Sequence, residues 1–224
     1  MPEIIFEDWH LIDYAAALSR QRTLFDEALE RKNLHEEPLN RWCFCEHPPV
    51  FTMGKHAKES NVLVSERFLA EKGIGLFHIE RGGDVTFHGP SQIVCYPILD
   101  LESFHMGLRE YIYLLEEVVI RTLAEYDVHG GRVDGASGVW LEPDSPRARK
   151  ICAVGVKSSR FVTMHGLAFN INTDLKYFTL INPCGFVDKQ VTSLQQELGH
   201  RVPLDEVKIK MREQVLHLFG LRLR

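Results

Sequence analysis

Val139-Trp140-Leu141-Glu142-Pro143-Asp144-Ser145-Pro146, followed four residues later by Ile151-Cys152-Ala153-Val154-Gly155-Val156 and then by Lys157-Ser158-Ser159-Arg160-Phe161-Val162-Thr163-Met164, decides the fold class. Three short apolar runs of β character are separated by turn-forming residues and not by helices. Consecutive hairpins make a largely antiparallel or mixed sheet, so the expectation is α+β and not a doubly wound nucleotide-binding fold. The Pro143–Arg149 stretch is the natural place for a mobile loop.

Outward from this core, further strands are predicted at Trp42–Phe44, Val50–Met53, Gly75–Ile79, Val85–Phe87, Gln92–Ile98 and Leu167–Ile171. Leu11, Tyr14, Leu18, Phe25 and Leu29 recur at near-helical spacing and predict a helix over 11–31. Leu108, Tyr111, Ile112, Leu115, Val119, Leu123 and Tyr126 predict a second. A third is expected over 204–219 on Val207, Met211, Val215 and Leu218, with Pro203 ahead of it and Gly220 just past its end. A short one should begin after Ser65 and stop at Gly73. The helices are expected on one side of the sheet. No repeat, low-complexity tract or linker divides the chain, so residues 1–224 read as a single domain.

The 224 residues are 45% hydrophobic, enough for one substantial core, and their formal net charge is -5. That balance disfavours nucleic acid or an anionic membrane as partner. The apolar runs fall well short of the roughly 20 residues a membrane span needs. Met1-Pro2-Glu3 lacks the basic and apolar regions of a signal peptide, and a cytoplasmic protein is expected. With no obvious exposed apolar stripe, a monomer is expected. Five cysteines are an odd number in a chain of this size, which points to reduced thiols. Cys43 and Cys45 form a C-x-C without a second pair and read as strand packing, not a metal site.

Glu80-Arg81-Gly82-Gly83-Asp84-Val85-Thr86-Phe87-His88-Gly89-Pro90 sets two glycines between strands, where backbone N–H groups can approach a ligand or simply make a hairpin turn. It lacks phosphate-loop spacing, and His88 alone reads as a hydrogen-bonded structural histidine. Lys150 stands at the head of a buried strand, ordinarily a place for a snorkelling side chain. Cys43, Cys45, Cys95 and Cys152 lie inside apolar runs, where burial makes a thiol inert. Cys184 differs, lying between Pro183 and Gly185 in a loop where a thiol can be approached.

Arg81-Gly82-Gly83…Thr86…His88…Pro90…Gln92, Lys150-Ile151…Ala153…Gly155-Val156, His165-Gly166…Ala168…Asn170 and Pro183-Cys184-Gly185…Val191-Thr192-Ser193-Leu194 together resemble the lipoyl(octanoyl) transferases, as does His47-Pro48-Pro49-Val50-Phe51-Thr52-Met53-Gly54. The motifs occur in family order across most of the chain. One departure is Ser91, where the family usually carries glycine. The resemblance implies the fold of biotin and lipoate ligases and transfer of octanoyl from octanoyl-acyl carrier protein to a lysine of a lipoyl carrier domain. The acceptors it implies are apo lipoyl domains of 2-oxoacid dehydrogenase complexes and the glycine-cleavage H-protein. It makes Cys184 the residue that carries the acyl group as a thioester and Lys150 its proton partner. It further implies that Arg81, Gly82, Gly83, Asp84, Val85, Thr86, Phe87 and His88 bind the substrate. Ala153, Val154 and Gly155, with His165, Gly166, Leu167 and Ala168, complete the implied acyl tunnel.

The chemistry is coherent. A thiol near pKa 8.5 is only a few per cent ionised at neutral pH, and a nearby ammonium raises the thiolate fraction. The same lysine can give a proton to the departing phosphopantetheine sulfur and take one from the attacking amine. Small residues leave room for a slim chain, whose six methylenes at about 0.8 kcal/mol each supply roughly 5 kcal/mol before binding costs. Neither metal nor nucleotide cofactor is required, because the acyl group arrives activated. The rivals are an ATP-dependent lipoate or biotin ligase, which needs no nucleophilic cysteine, and a non-catalytic acyl-binding module.

Overall fold

Each central strand alternates two kinds of residue, and a computed structural model, which describes residues 2–182 and 190–224, shows what each kind packs against. The strands are β1 (Glu3–Leu11), β2 (Asn40–Glu46), β3 (Val50–Met53), β4 (Gly75–His78), β5 (Val85–His88), β6 (Gln92–Ile98), β7 (Gly130–Val133), β8 (Ala136–Leu141), β9 (Arg149–Ser159), β10 (Val162–Asn170), β11 (Gln190–Val191) and β12 (Arg222–Leu223). The helices are α1 (Tyr14–Asn33), α2 (Glu66–Glu71), α3 (Leu108–Ala124), α4 (Leu194–Leu198) and α5 (Leu204–Leu218). A large sheet runs β12-β1-β2-β6-β10-β9-β8-β7, with β11 also on β9, and a small one runs β4-β3-β5. Its pairings are mixed: β1 is parallel to β2, whereas β6, β10, β9 and β8 are antiparallel neighbours. The α+β expectation holds.

Trp42, Phe44, Ile93, Cys95, Leu167 and Phe169 pack in one cluster with Tyr111, Leu115 and Val119 of α3 and Val207, Met211 and Val215 of α5. The alternate residues Cys43, Cys45, Val94, Tyr96 and Ala168 meet Ala17 of α1 on the opposite face. This is the period of two that a strand imposes. Helices therefore cover both faces, which corrects the expectation of one side. The reason is that α1 and the helices α3 and α5 address opposite faces of the same strands.

Caps explain the helix ends. The Asp13 carboxylate accepts from the Ala15 and Ala16 N–H groups and starts α1, so Leu11 belongs to β1 and is exposed. Ser65 caps α2 through the Phe68 N–H, and Gly73 follows at φ +65. Gly220, at φ +58, follows α5.

Some strands differ from the sequence reading. The predicted strands Phe161–Met164 and Leu167–Ile171 are one strand, β10, and the turn before it is formed by Arg160 and Phe161, both at positive φ. Lys157, Ser158 and Ser159 lie in β9. Strands β1, β7, β11 and β12 and helix α4 went unpredicted, being short or outside the apolar runs. The Pro143–Arg149 loop is tethered: Arg149 bridges Glu142 and Glu197, and Ala148 is buried. Ser91 takes φ +62, the region that favours glycine, and its N–H donates to Glu46 at 2.7 Å.

Candidate active site

A cavity of about 530 Å³ opens between the α1-facing side of the large sheet and the small sheet and extends to Leu108 and Ile112 of α3. Its floor is built from β9 and β10, where Ala153 pairs with Ala168, Gly155 with Gly166, and Ala168 with Val94 of β6. These residues are small on the face where larger ones would fill the space. Gly155 is a tight place for a side chain: a Cβ there would stand 3.0 Å from the Arg81 side chain and 3.1 Å from the Gly82 carbonyl. Gly166 is far more constrained, since a Cβ there would stand 2.3 Å from the Cys95 carbonyl.

The Arg81–Asp84 loop forms the facing wall, and its shape comes from hydrogen bonds. The Arg81 guanidinium donates to the Thr52 carbonyl at 2.7 Å, the Thr52 hydroxyl at 3.0 Å and the Gly82 carbonyl at 3.0 Å. The Gly82 N–H reaches the Val156 carbonyl at 2.9 Å, tying the loop to β9. Asp84 accepts from its own neighbour Val85 N–H at 2.6 Å and from Asn61 at 2.7 Å.

Two buried histidines, His88 and His165, line the cavity, and a third, His47, packs against the His88 ring behind it. His47 contacts the Tyr96 hydroxyl at 2.7 Å, and His88 contacts Gln92 Oε1 at 2.9 Å. Gln92 in turn donates to Asn170, which donates to the Thr192 carbonyl. Burial pulls His47 down to about 4 and, aided by Arg81, His165 down to about 3; burial, with the neighbouring His47 and Arg81, takes His88 well below the imidazole range. All three are neutral at pH 7, so His88 and His165 add no charge to the cavity wall beside Arg81.

Lys150 reaches the cavity through a bulge. Val139 of β8 pairs with Cys152 but Trp140 pairs with Lys150, leaving Ile151 as an extra residue. In a regular strand Lys150 and Cys152 would share a face. Here Ile151 and Cys152 both enter the α3 and α5 core while Lys150 lines the cavity. Its Nζ donates to the Ser137 carbonyl at 3.1 Å and stands 4.6 Å from the Trp140 ring centre. The strand that follows the Pro183–Lys189 segment is paired on the same residue: Val191 is in register with Lys150, and the Thr192 N–H donates to the Lys150 carbonyl at 2.9 Å. Before that segment, the Asn182 N–H donates to the Asn61 carbonyl at 2.7 Å, next to the Asp84 contact.

Cys184 lies outside the described residues. Of the other expected site residues, Lys150, Arg81, Gly82, Gly83, Asp84, Val85, Thr86, His88, Ala153, Val154, Gly155, His165, Gly166, Leu167 and Ala168 all line the cavity. Phe87 does not, because alternation along β5 turns its ring into the small-sheet cluster, stacked on Tyr177 with centroids 4.6 Å apart. Cys43, Cys45, Cys95 and Cys152 are buried free thiols, all pushed up by burial, as their apolar runs implied. Tyr14, Tyr96, Gln92, Asn170 and Ser137 also line the cavity. Gln92 and Asn170 carried a signal, as amide side chains at the ends of otherwise apolar strands. Tyr14 carried none, since a helical tyrosine at core spacing reads as packing.

The family described as lipoyl protein ligase A/B catalytic domain matches residues 13–216, and the chain belongs to it. Within that family it is 57% identical over 212 residues to an octanoyltransferase of Bacteroides fragilis, covering 95% of this chain and 96% of the relative. An octanoyltransferase of Parabacteroides distasonis is 52% identical over 221 residues, 98% of this chain and 100% of that one. In fold the chain is similar to a bi-partite lipoate protein ligase from Thermoplasma acidophilum, with TM-score 0.76 at 14% identity over 100% of this chain and 86% of that chain. No described helix is long and apolar enough to cross a membrane.

Proposed function

We propose that this chain is an octanoyltransferase of protein lipoylation, taking octanoyl from octanoyl-acyl carrier protein and delivering it to a lysine of a lipoyl carrier domain. The observation that carries the reading is the cavity. It is floored by Ala153, Gly155, Gly166 and Ala168, is also lined by the buried His88 and His165, and has a lysine on its wall. An aliphatic acyl chain gains from burial against such small apolar residues. Octanoyltransferase relatives at 52–57% identity support the acyl group named here.

In this reading Cys184 attacks the donor thioester, the phosphopantetheine thiol leaves, and the acyl-cysteine is then attacked by the acceptor amine. Lys150 moves the protons: one from the Cys184 thiol, one to the departing sulfur, one from the amine. Backbone N–H groups after the glycines of the Arg81–Asp84 loop are candidates to stabilise the thioester oxyanion, the Gly82 N–H being taken by the Val156 carbonyl. The lipoyl domains of 2-oxoacid dehydrogenase complexes and the glycine-cleavage H-protein are the proposed acceptors, in the cytoplasm, with the enzyme a monomer.

Incubation with an octanoyl thioester followed by mass measurement tests this. The expected result is one octanoyl adduct, mapped to Cys184, and transfer to an apo lipoyl domain in buffer free of ATP and magnesium. Cys184→Ser should fold normally and lose turnover. A strict ATP requirement, or an adduct on Cys95 or Cys152, would overturn the reading in favour of the ligase alternative or another nucleophile.

A further inference from the structure

Glu116 is a buried carboxylate on the face of α3 that otherwise presents Leu115, Val118 and Val119 to the core. A charge in this layer is costly unless both oxygens are satisfied, and both are. Oε2 accepts from Arg132 Nε at 3.0 Å, and Oε1 accepts from the Gly138 N–H at 2.8 Å. Gly138 sits at φ +120, where a Cβ would stand 2.4 Å from the Cys152 carbonyl. That carbonyl belongs to the bulged stretch of β9, and the residue before Gly138 is Ser137, whose carbonyl accepts from Lys150. Cys152 senses both ends: burial pushes its thiol up, Glu116 adds to this and Lys150 opposes it.

We propose that Glu116 is a positioning residue for Lys150: by holding the Gly138 N–H it fixes the link in β8 that aims the Ser137 carbonyl at the lysine. The inference rests on the reading of Lys150 as proton partner of Cys184. With the anchor gone, the Ser137 peptide turns and the ammonium loses its fixed place on the cavity wall. Arg149 keeps Glu142 and Glu197 when Glu116 is replaced, and Arg132, which loses its Glu116 contact, keeps Glu117.

The test is the pH dependence of Cys184 alkylation together with single-turnover octanoylation. Glu116→Met removes the acceptor without opening a large cavity. It should slow octanoylation about tenfold, the scale of one lost hydrogen bond, and move the alkylation limb to higher pH. Loss of negative charge alone would move that limb to lower pH, so the direction separates position from charge. Glu116→Gln keeps an acceptor for Gly138 and should recover most of the rate without the upward shift. An unshifted or downward-shifted limb in a folded Glu116→Met, or Glu116→Gln as slow as Glu116→Met, overturns the proposal. Should Glu116→Met fail to fold, Glu116→Asp, which withdraws the acceptor but keeps the charge, is read the same way. In a Lys150→Ala background Glu116→Met should add nothing. A full additional loss there overturns the positioning role and leaves Lys150 standing, whereas wild-type behaviour of Lys150→Ala itself overturns both.

Discussion

The two faces of the large sheet use the same strands differently. Along β6 and β10 the side towards α3 and α5 presents Ile93, Cys95 and Phe169, all packed without exposure to solvent, with Leu167 of the same cluster also bordering the cavity. The other side presents Val94, Tyr96, Ala168 and Asn170, and there about 530 Å³ is left open. The difference teaches that a binding site is made here by withholding side-chain volume on one face while the opposite face holds the backbone in register. Dense packing on the first face supplies the rigidity that keeps the second from collapsing.

The sharpest way to separate the faces is Lys150→Ala, which removes a proton carrier from the cavity and no core contact. Steady-state transfer should fall at least a hundredfold, the lower end for a general acid–base residue, with thermal stability within a degree or two of wild type. Lys150→Arg keeps the charge but does not shuttle protons at neutral pH; it should preserve alkylation of Cys184 and still fail in turnover. On the packed face, Leu115→Ala should cost about 2–5 kcal/mol in urea unfolding, because it opens a hole in a layer that cannot fully relax. Its acyl-chain preference should stay as in wild type. A changed preference would break the division of labour.

Acid should strike the cavity face first. His47 and His165 have folded-state values of about 4 and about 3, below their unfolded value near 6.5. The unfolded chain therefore binds more protons between these values, and stability is lost as pH falls through that window. Each contributes up to roughly 1.4 kcal/mol per pH unit, so unfolding free energy measured from pH 7 to 5 should decline, and His165→Asn should flatten the slope. The smallest effect is the finest test of the cavity. Ala168→Leu fills the floor and should displace about two methylenes of the acyl chain. That corresponds to roughly 1.6 kcal/mol, or about fifteenfold in kcat/KM for octanoyl over hexanoyl donors. Equal losses for both chain lengths would place the acyl chain elsewhere.

Local chemistry was legible wherever short-range rules apply. Ser65, Pro203 and Gly220 mark helix ends because capping involves neighbours in sequence, and Gln92–Ile98 reads as a strand from its own composition. β1 was hidden because Glu3–Leu11 mixes charged and apolar residues and draws its stability from pairing with β2 and β12. Phe87 shows the same limit at the site: its motif is recognisable, but only the alternation of β5 against the small-sheet cluster turns it away from the cavity.

By itself the sequence determined the α+β class, the inert character of Cys43, Cys45, Cys95 and Cys152, and the separate motifs around Arg81, Lys150 and His165. Those follow from residue type and from spacings of a few residues. Tertiary structure decided which motifs meet, that helices cover both faces, and that Lys150 faces the cavity instead of the core. The last depends on a one-residue slip between β8 and β9, and such a slip reverses a side chain's direction without leaving a mark on the local pattern.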